Sequence, residues 1–491
     1  MVRTLFMVRT LTLPEKPALP EKFKEYLLES AGAEMTPRIL EALVRDKQPV
    51  SIRINPLKLK GKGAAEVIFG DNILEPIPWC PDGYYLKERP VFTLDPALHA
   101  GAYYVQEPSS MFLSVLEPVF NIINPTVLLD LCAAPGGKTT HMISMIPRSS
   151  SDPDEIMGNG PLIIANEVIK SRVATLKENV LKWGDHSVVV TNRDARDFSM
   201  GKISPNKFST ENYSPNDSTY SFDFILVDAP CSGEGLFRKD PSAIAEWSEE
   251  SVKMCAARQK RILADIWDSL KPGGLLAYST CTFNIYENDG NVAWLKNEYK
   301  AQTFDLFGFY KSNFIDNKFN PELVKEWGIM PTKEGGFQFF PGLVKGEGFF
   351  FALLQKPLSN KSQNFITGNN YTGIVNPVNP VKPVNSVKQV KSVKHESIQP
   401  EHEYSLSIRY AGEWPSVELN KEDALLYLSR NSLKLEGAPL GYLRVTYNGL
   451  GLGFVKNLGT RANNLYPMNW RIRMDISAAA VLSAQGIRGI H

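Results

Sequence analysis

The chain has 491 residues, a length that corresponds to about three domains at roughly 150 residues each. Hydrophobic residues make up 43% and charged residues 22%, as in ordinary globular proteins, and no apolar run approaches the ~20 residues of a membrane helix. The formal net charge of +1 argues against a uniformly basic nucleic-acid-binding protein. Five scattered cysteines without a Cys-x-x-Cys pair argue against a disulfide framework or a zinc site, and for a reducing cytoplasm.

The first 50 residues are predicted to be helical, because apolar residues recur at three- and four-residue spacing. Residues 50–55 follow as a short alternating strand that ends at a proline. Arg53 and Asn55 share one face of this strand, where they would either hold a phosphate or form an exposed polar face. The N-terminal segment 1–11 repeats Met-Val-Arg-Thr-Leu and lacks the apolar core of a signal peptide.

Aromatic residues mark the two segments that follow. Trp79, Tyr84 and Tyr85 belong to a stretch that is predicted to be rich in turns. Residues 101–110 combine polar side chains with aromatic ones, a mixture that can line a substrate cleft.

A glycine-rich loop comes next, and the rest of the chain is organised around it. An apolar strand pattern at 128–131 leads into Cys132-Ala133-Ala134-Pro135-Gly136-Gly137-Lys138, after which a helical pattern begins. Open α/β sheets bind ligands at such places, outside the carboxyl ends of their strands. The loop is not a P-loop, because Cys132 stands where that motif needs glycine, and it lacks the dinucleotide fingerprint Gly-x-Gly-x-x-Gly. It suits a nucleoside cofactor without a phosphate chain, such as S-adenosylmethionine, with Lys138 free to meet a carboxylate.

Strand and helix patterns alternate from about residue 110, which is typical of a parallel sheet with helices on both faces. The predicted strands are 127–132, 162–167, 187–191, 222–228 and 275–279, followed by a closing pair at 335–341 and 348–355. Helices are predicted at 138–146, at 169–183 with Gly184 as C-cap, and between 241 and 270, where Lys271–Gly274 ends the last one. The polar segments 147–161 and 199–221 are predicted to be surface insertions.

Carboxylates and thiols follow several of these strands. Glu167 ends the second strand, where an acid accepts hydrogen bonds from ribose hydroxyls, and Asp194 follows the third. Asp228 and Cys231 follow the fourth strand, and Cys281 follows the fifth. The other cysteines are predicted to be small buried hydrophobic residues: Cys80, Cys132 and Cys255.

Two thiols at neighbouring strand ends point to methylation of pyrimidine carbon 5. A thiolate that adds to carbon 6 makes carbon 5 nucleophilic, so one difficult step becomes two easier ones. A carboxyl group near ring nitrogen 3 stabilises the adduct electrostatically. One cysteine suffices for the attack, so a second one implies help with elimination. The chemistry alone leaves open which cysteine attacks.

The remaining chain is predicted to hold a linker and a small domain. Val, Pro, Lys and Asn recur throughout residues 358–400, and a segment of this composition cannot form a buried core. Beyond it, Asn448-Gly449 between two strand patterns indicates a β-hairpin in a small basic β-rich domain. Residues 361–491 hold 15 Lys+Arg against 9 Asp+Glu. This excess is either a footprint of phosphate contact or a merely solvated surface.

The chain resembles the RNA 5-methylcytosine methyltransferases of the NOL1/NOP2/Sun family, and more closely the bacterial RsmF/YebU type acting on 16S rRNA. The resemblance depends on three motifs that occur together. They are Cys132–Lys138, Asp228-Ala-Pro-Cys-Ser-Gly233 and Ser279-Thr280-Cys281. The likeness spans about residues 53–355 and is weaker in a PUA-like C-terminal domain. It implies Cys281 as nucleophile, Cys231 as the thiol that assists product release, and Asp228 near the methionine end and the target base. DNA cytosine methyltransferases use the Pro-Cys thiol for attack instead.

The resemblance further implies an α/β fold with a Rossmann-like S-adenosylmethionine-dependent methyltransferase core. We expect an N-terminal α+β RNA-binding extension at 1–105, the catalytic domain at 106–357, a flexible linker at 358–401 and a PUA-like RNA-binding domain at 402–491. Glu167 is expected at the ribose and Asp194 at the adenine. The full expected cofactor set is Cys132, Ala133, Ala134, Pro135, Gly136, Gly137, Lys138, Glu167, Arg172, Asp194 and Asp228.

The predicted function is therefore S-adenosylmethionine-dependent methylation of cytosine carbon 5 in rRNA, with 16S rRNA or the 30S subunit as partner. We expect a cytoplasmic monomer without a metal or a membrane contact. Two alternatives stay open at this point: the same chemistry on tRNA or DNA, and a non-catalytic RNA-binding ribosome assembly factor. The insertions and the long linker depart from the compact family pattern and leave substrate docking open.

Overall fold

A computed structural model describes residues 18–61, 63–147, 161–185, 188–199, 221–316, 318–358, 399–410 and 412–476. Apart from their ends, the two predicted insertions and the predicted linker lie outside these residues, and so does the N-terminal repeat. In the described part of the chain, no helix is long and apolar enough to cross a membrane.

The N-terminal part combines a helical segment that is kinked at Gly32 with a small antiparallel sheet. Its helices are α1 (Glu21–Arg45), α2 (Ala64–Phe69) and α3 (Pro96–His99). Its strands are β1 (Val50–Ile54), β2 (Ile73–Ile77), β3 (Cys80–Leu86) and β4 (Tyr103–Val105), in the order β2-β3-β1-β4. The helical prediction for the first 50 residues is confirmed over 21–45, while residues 1–17 lie outside the described ones, and the strand predicted at 50–55 is confirmed as β1. The turn-rich prediction for Tyr84 and Tyr85 is wrong, because both pair with β1 within β3, and Tyr85 and Trp79 are buried in the core.

The central sheet begins with five parallel strands. They are β5 (Val127–Asp130), β6 (Leu162–Asn166), β7 (Val188–Thr191), β8 (Phe222–Asp228) and β9 (Leu270–Thr280). The antiparallel strands β10 (Gln302–Thr303), β11 (Met330–Pro331), β12 (Phe337–Phe339) and β13 (Phe349–Gln355) complete it. The order is β11-β12-β13-β9-β8-β5-β6-β7, with β10 beside β13. The expected Rossmann-like sheet and its closing pair of strands are confirmed.

Helices cover both faces of this sheet. They are α4 (Glu117–Ile123), α5 (Gly137–Met145), α6 (Lys170–Trp183), α7 (Arg196–Ser199), α8 (Pro241–Glu246), α9 (Glu249–Trp267), α10 (Asp289–Tyr299), α11 (Leu306–Asn313) and α12 (Pro321–Glu326). Alternate residues of β8 enter different cores: Phe224 and Leu226 pack on one face, and Ile225 and Val227 on the other. This alternation explains why a strand that is buried on both sides is apolar throughout.

One predicted boundary is wrong. Lys271–Gly274 was expected to end a helix as a turn, but these residues lie inside β9, which starts at Leu270. The pairing of β8 with β9 shifts register between Phe222 and Phe224, so the glycine-containing segment forms an irregularity within the ladder. Gly273 adopts φ 80°, a conformation that glycine reaches without steric cost.

The C-terminal part is a second small sheet with two helices. Strands β14 (Ser416–Glu418), β15 (Gly441–Tyr447), β16 (Leu450–Asn457) and β17 (Ala462–Asn464) lie in that order, beside α13 (His402–Leu406) and α14 (Lys421–Leu428). The hairpin at Asn448-Gly449 is confirmed, with positive φ at both residues. This part docks on the end of α6, where Ile408 N donates to Gly184 O at 3.0 Å.

The C-terminal charge excess is located mostly outside the folded domain. Residues 399–476 carry nine basic and eight acidic side chains, whereas 361–398 carry five and one. The folded C-terminal domain is therefore nearly balanced in charge, which corrects the prediction of a basic domain. The excess belongs chiefly to the linker segment, which lies outside the described residues.

Candidate active site

The carboxyl ends of β5, β8 and β9 meet at one edge of the sheet, as parallel strands require. Leu131 N donates to Leu226 O at 2.9 Å, and Ala229 N donates to Ser279 O at 2.8 Å. The glycine-rich loop, the segment after Asp228 and the segment ending at Cys281 are therefore neighbours. We call this edge the rim.

The glycine-rich loop passes from β5 into α5 with little space around it. Gly136 adopts φ 112°, which disfavours any residue with a Cβ. A Cβ on Gly137 would lie 3.2 Å from the Tyr104 ring, and one on Gly136 would lie 3.4 Å from both Asn179 and Leu176. The glycines thus let the backbone lie between Tyr104 and α6.

Lys138, which was predicted to meet a carboxylate, pairs with one from the protein itself. Its ammonium donates to Asp228 Oδ2 at 2.8 Å and lies 5.2 Å from the centre of the Phe349 ring. Burial lowers the pKa of Lys138, but the Asp228 carboxylate outweighs this, so the pKa lies above the ordinary lysine value. Ser279 donates to the other oxygen of Asp228 at 2.7 Å. Asp228 is therefore held as an oriented, partly exposed carboxylate at the rim.

Glu167 and Arg172 lie together beside the loop. Arg172 Nη2 donates to Ala134 O at 2.6 Å, and its Nη1 lies 3.1 Å from Glu167 Oε2 without hydrogen-bond geometry. Glu167 Oε1 accepts from Ile169 N at 2.8 Å. Asp194 is set apart and half exposed, and hydrogen bonds from Arg196 lower its pKa.

Two buried carboxylate oxygens on this side make no hydrogen bond of good geometry among the described residues: Asp130 Oδ1 and Glu167 Oε2. Each carboxylate still has a neighbour, because Arg172 forms an ion pair with Glu167 and the backbone of Cys132 interacts with Asp130. Asp130 Oδ2 accepts from Thr139 at 2.6 Å, while burial raises the pKa of Asp130 to about 7. Buried polar oxygens are normally paired, so an unpaired one is compatible with a ligand that supplies the donor. Sequence reasoning missed Asp130, although its place at the end of the strand before the loop was a usable signal.

The two predicted catalytic thiols lie side by side, with Cys231 Sγ 3.1 Å from Cys281 Sγ. The hydrogen bond to Cys281 and then burial raise the pKa of Cys231 well above the ordinary thiol value. The remaining cysteines do not belong to this thiol pair. Cys80 is buried as predicted, whereas Cys132 and Cys255 are only partly buried. Burial also raises the pKa of Cys132.

Arg53 and Asn55 neither face solvent nor offer a phosphate site, because both are fully buried. Arg53 Nε donates to Gln106 at 2.8 Å, its Nη2 donates to Thr140 at 2.8 Å, and its guanidinium lies 4.5 Å from the centre of the Trp183 ring. Burial lowers its pKa to about 10. Both proposed roles of this strand face are therefore wrong: Arg53 joins β1 to the helix that follows the loop.

Residues 101–110 lie beneath the rim. Tyr103 and Tyr104 line a cavity of about 220 Å³ together with Asn179 and Lys182 of α6, and neither rim cysteine lines it. The polar side chains of the segment have partners within the fold: Gln106 pairs with Arg53, and Glu107 accepts from the backbone of Ser109 and Ser110. This segment is thus scaffold for the loop, not the wall of a cleft at the cysteines.

Among the described residues, no group of three or more His, Cys, Asp or Glu side chains is arranged to hold a metal ion.

Three family models match the chain in order. The N-terminal domain of 16S rRNA methyltransferase RsmF matches residues 19–108, and 16S rRNA methyltransferase RsmB/F matches 116–355. The methyltransferase RsmF PUA domain matches 415–472. The models agree with the resemblance inferred from the motifs, while the domain boundaries proposed above stay predictions.

Curated relatives carry the name ribosomal RNA small subunit methyltransferase F. The protein of Cronobacter sakazakii is 34% identical over 346 residues, which cover 70% of this chain but only 64% of that relative. The protein of Shewanella loihica is 30% identical over 474 residues, which cover 85% of this chain and 88% of the relative.

Solved structures share the fold. PH0851 gives a TM-score of 0.53 at 25% identity, covering 69% of this chain and 66% of its own. NSun6 from Pyrococcus horikoshii, solved with SFG, gives 0.50 at 20% identity and covers 69% and 99%, a likeness that concerns the fold alone. Because three family models match in chain order and one relative aligns over most of both lengths, the chain belongs to the 16S rRNA methyltransferase RsmB/F family.

Proposed function

We propose that this protein methylates carbon 5 of cytosine in 16S rRNA, using S-adenosylmethionine and a covalent bond between Cys281 and carbon 6 of the target base. One observation supports this most: two thiols 3.1 Å apart lie on the same rim as the Lys138–Asp228 pair. Family membership supports rRNA of the small subunit as the substrate.

The residues of the loop side fit the cofactor. S-adenosylmethionine, when bound, supplies a methyl group made electrophilic by a sulfonium sulfur. Glu167 Oε2 is a buried acceptor that ribose hydroxyls would satisfy, and Asp130 Oδ1 is a second buried acceptor beside a cationic ligand. Gly136 and Gly137 allow close approach of the backbone, and Arg172 fixes the loop through Ala134 O. Asp194 stands at the outer end, where the adenine is expected.

The thiol pair supports the division of labour between the cysteines. Cys231 has a raised pKa and therefore keeps its proton 3.1 Å from Cys281 Sγ, which suits the role of proton donor to the departing thiol, while the family resemblance assigns the attack to Cys281. The thiolate forms a sulfur–carbon bond to carbon 6, and the electron pair of the ring double bond becomes available at carbon 5. We place the Asp228 carboxyl group, oriented by Lys138 and Ser279, near ring nitrogen 3, where the Lys138 cation beside it stabilises the negative charge that the thiolate brings into the ring.

Release of the product uses the second thiol. After methylation, the carbon 5 proton leaves, its electron pair restores the ring double bond, and the sulfur–carbon bond breaks. Cys231 passes its proton to the departing Cys281 thiolate and takes up the carbon 5 proton in its place. Both thiols end protonated: Cys231 holds the proton that came from carbon 5, and Cys281 holds the one that came from Cys231. Cys281 releases its proton to solvent when it ionises again, which restores the starting state with one proton lost per methyl group transferred.

The decisive test is transfer of a labelled methyl group to 30S subunits and to naked 16S rRNA, by the wild type and by Cys281→Ala. We expect label on cytosine carbon 5 with the wild type only, and the better substrate identifies naked or assembled RNA as the natural form. Methylation by Cys281→Ala at the wild-type rate would refute the assigned nucleophile. Label on tRNA or DNA alone would overturn the rRNA substrate. Tight rRNA binding without methylation of any substrate would favour the assembly-factor alternative.

A further inference from the structure

Two glutamates lie behind the cysteines, and both are fully buried, with 0% exposure. Neither belongs to a motif that explains the reaction proposed above. Burial of a carboxylate is costly unless hydrogen bonds compensate for the lost water. The partners of Glu234 and Glu287 therefore indicate what these residues do.

Glu234 stands three residues after Cys231, yet its partners lie directly after Cys281. Its Oε2 accepts from Thr282 Oγ1 at 2.5 Å, from Phe283 N at 2.7 Å and from Asn284 N at 3.0 Å. Its Oε1 accepts from Trp247 Nε1 and Asn284 Nδ2, both at 3.0 Å. A side chain of the first cysteine loop thus holds the backbone of the second.

Glu287 makes the reciprocal connection. It follows Cys281 by six residues, and its Oε2 accepts from Ser232 N, next to Cys231, at 3.0 Å. Gln259 Nε2 donates to the same oxygen at 2.7 Å, and Asn284 Nδ2 donates to Oε1 at 2.8 Å. Asn284 therefore contacts both carboxylates.

The backbones of the two loops also touch. Gly235 N donates to Cys281 O at 2.8 Å. A Cβ on Gly235 would lie 2.6 Å from Cys281 O and 2.8 Å from Gly348 O, so the loops approach closely at this point. This contact is independent of the glutamates and shows that the relative position of the loops is tightly determined.

We propose that Glu234, Glu287 and Asn284, here called the glutamate clamp, are positioning residues that hold the Cys231 and Cys281 thiols at their working separation. The assignment rests on the proposed function insofar as both thiols act in one reaction. The partners of the clamp belong to the protein itself, so we assign it a role through the two loops and not through contact with the base or the cofactor.

The clamp also has an electrostatic effect. Burial, and then the nearby Glu234, raise the pKa of Glu287 to about 7. When ionised, Glu287 adds to the causes that raise the pKa of Cys231, after the hydrogen bond to Cys281 and burial. The clamp thereby favours a protonated Cys231 beside Cys281.

The test compares Glu234→Gln and Glu287→Gln with Glu246→Gln, a control at an exposed residue of α8. Glutamine has an NH₂ group in place of one carboxylate oxygen, and this group cannot accept hydrogen bonds from the donors of the clamp. The substitution therefore breaks the clamp at nearly constant side-chain volume. The first readout is binding of phenylarsine oxide, a trivalent arsenical that chelates two close thiols. Two sulfur–arsenic bonds form, and the oxide oxygen leaves with both thiol protons as water. We expect at least tenfold weaker chelation in the clamp variants and wild-type chelation in the control.

The second readout is adduct formation with 16S rRNA carrying 5-fluorocytidine, in which carbon 5 has no proton to lose. We expect at least tenfold slower adduct formation by the clamp variants at an unchanged cofactor KM. Glu234→Asp, which keeps the charge, should recover part of both signals. Wild-type chelation and adduct rates in both glutamine variants would overturn the clamp.

Folding and function are separated by two further results. A glutamine variant that loses both cofactor binding and cooperative unfolding is misfolded, and Thr282→Val is then tested in its place. This variant removes the hydroxyl donor to Glu234 and leaves the backbone donors. Unchanged chelation in a folded Thr282→Val would count against the clamp. The arsenical assay needs no RNA and is therefore independent of the substrate. Weaker chelation by the clamp variants, together with a wild type that does not methylate rRNA, would support the clamp and refute the proposed function.

Discussion

The two sides of the rim differ in how their buried carboxylates are satisfied. On the loop side, Asp130 and Glu167 each keep one buried oxygen that makes no hydrogen bond of good geometry among the described residues. On the cysteine side, both oxygens of Glu234 and of Glu287 accept hydrogen bonds from groups within the fold. Under the proposed function, the loop side keeps acceptor oxygens for donors of a ligand, whereas the cysteine side holds the reactive groups in place.

This difference follows from what each side has to do. A cofactor enters and leaves in every cycle, so its site must keep hydrogen-bonding capacity available. The thiols stay in the protein, and a misplacement of about 1 Å can lower a rate by about 10²-fold. Complete pairing on the cysteine side restricts such displacement.

Of the changes considered, loss of Cys231 on the cysteine side is expected to lower turnover most. Without the proton exchange between the thiols, we expect Cys231→Ala to stop turnover and to accumulate a covalent protein–RNA adduct. A denaturing gel with labelled 16S rRNA detects that species. Cys255→Ala, which changes a partly buried thiol of α9, should turn over normally. Free RNA and normal turnover with Cys231→Ala would contradict the assigned role.

Glu167→Gln should weaken the loop side by a smaller amount. A hydrogen bond to a charged group contributes about 1.5–3 kcal/mol, so we expect a roughly 10- to 100-fold rise in the dissociation constant for S-adenosylmethionine. Calorimetric titration measures it, with Glu322→Gln on the exposed surface of α12 as control. An unchanged dissociation constant would show that Glu167 does not bind the cofactor. The proposals for the two cysteines would not be affected by that result.

Asp130→Asn is expected to act on stability and its pH dependence, with the smallest effect on turnover. Burial raises the pKa of Asp130 to about 7, against about 3.9 in an unfolded chain. Between these values the folded chain holds a proton that the unfolded chain releases, so the stabilisation is complete below about pH 4 and is lost as pH rises to 7. The Tm of the wild type relative to Asp130→Asn should therefore fall from pH 4.5 to 7. Parallel Tm profiles would show that Asp130 ionises normally.

Sequence patterns predicted the elements of the catalytic sheet closely, because strands buried on both faces are continuous apolar runs with clear ends. The strand 222–228 matches β8 at both ends, and the helix at 169–183 differs from α6 by one residue. Prediction failed where burial depends on distant neighbours. The strand pattern predicts that Arg53 is exposed or binds an anion, yet its side chain is surrounded by Gln106, Thr140 and Trp183.

The same contrast holds for the rim. The motifs that carry Lys138, Asp228, Cys231 and Cys281 are local, and the topology of a parallel sheet brings strand ends together. The assignment of roles to these residues stays a prediction, as do the monomeric state and the cytoplasmic location. No local pattern showed that Lys138 pairs with Asp228, 90 residues away, or that Glu234 holds the backbone after Cys281.

The sequence by itself determined the order of strands and helices, the glycine-rich loop and the identity of the reactive side chains. These features depend on periodicity, on glycine conformation and on covalent neighbours within a few residues. Only the tertiary structure decided which buried charges have partners and how far apart the two thiols lie. Such pairings join segments that are separated by about 50 residues or more, and their cost or gain arises from burial, which no short stretch of sequence specifies.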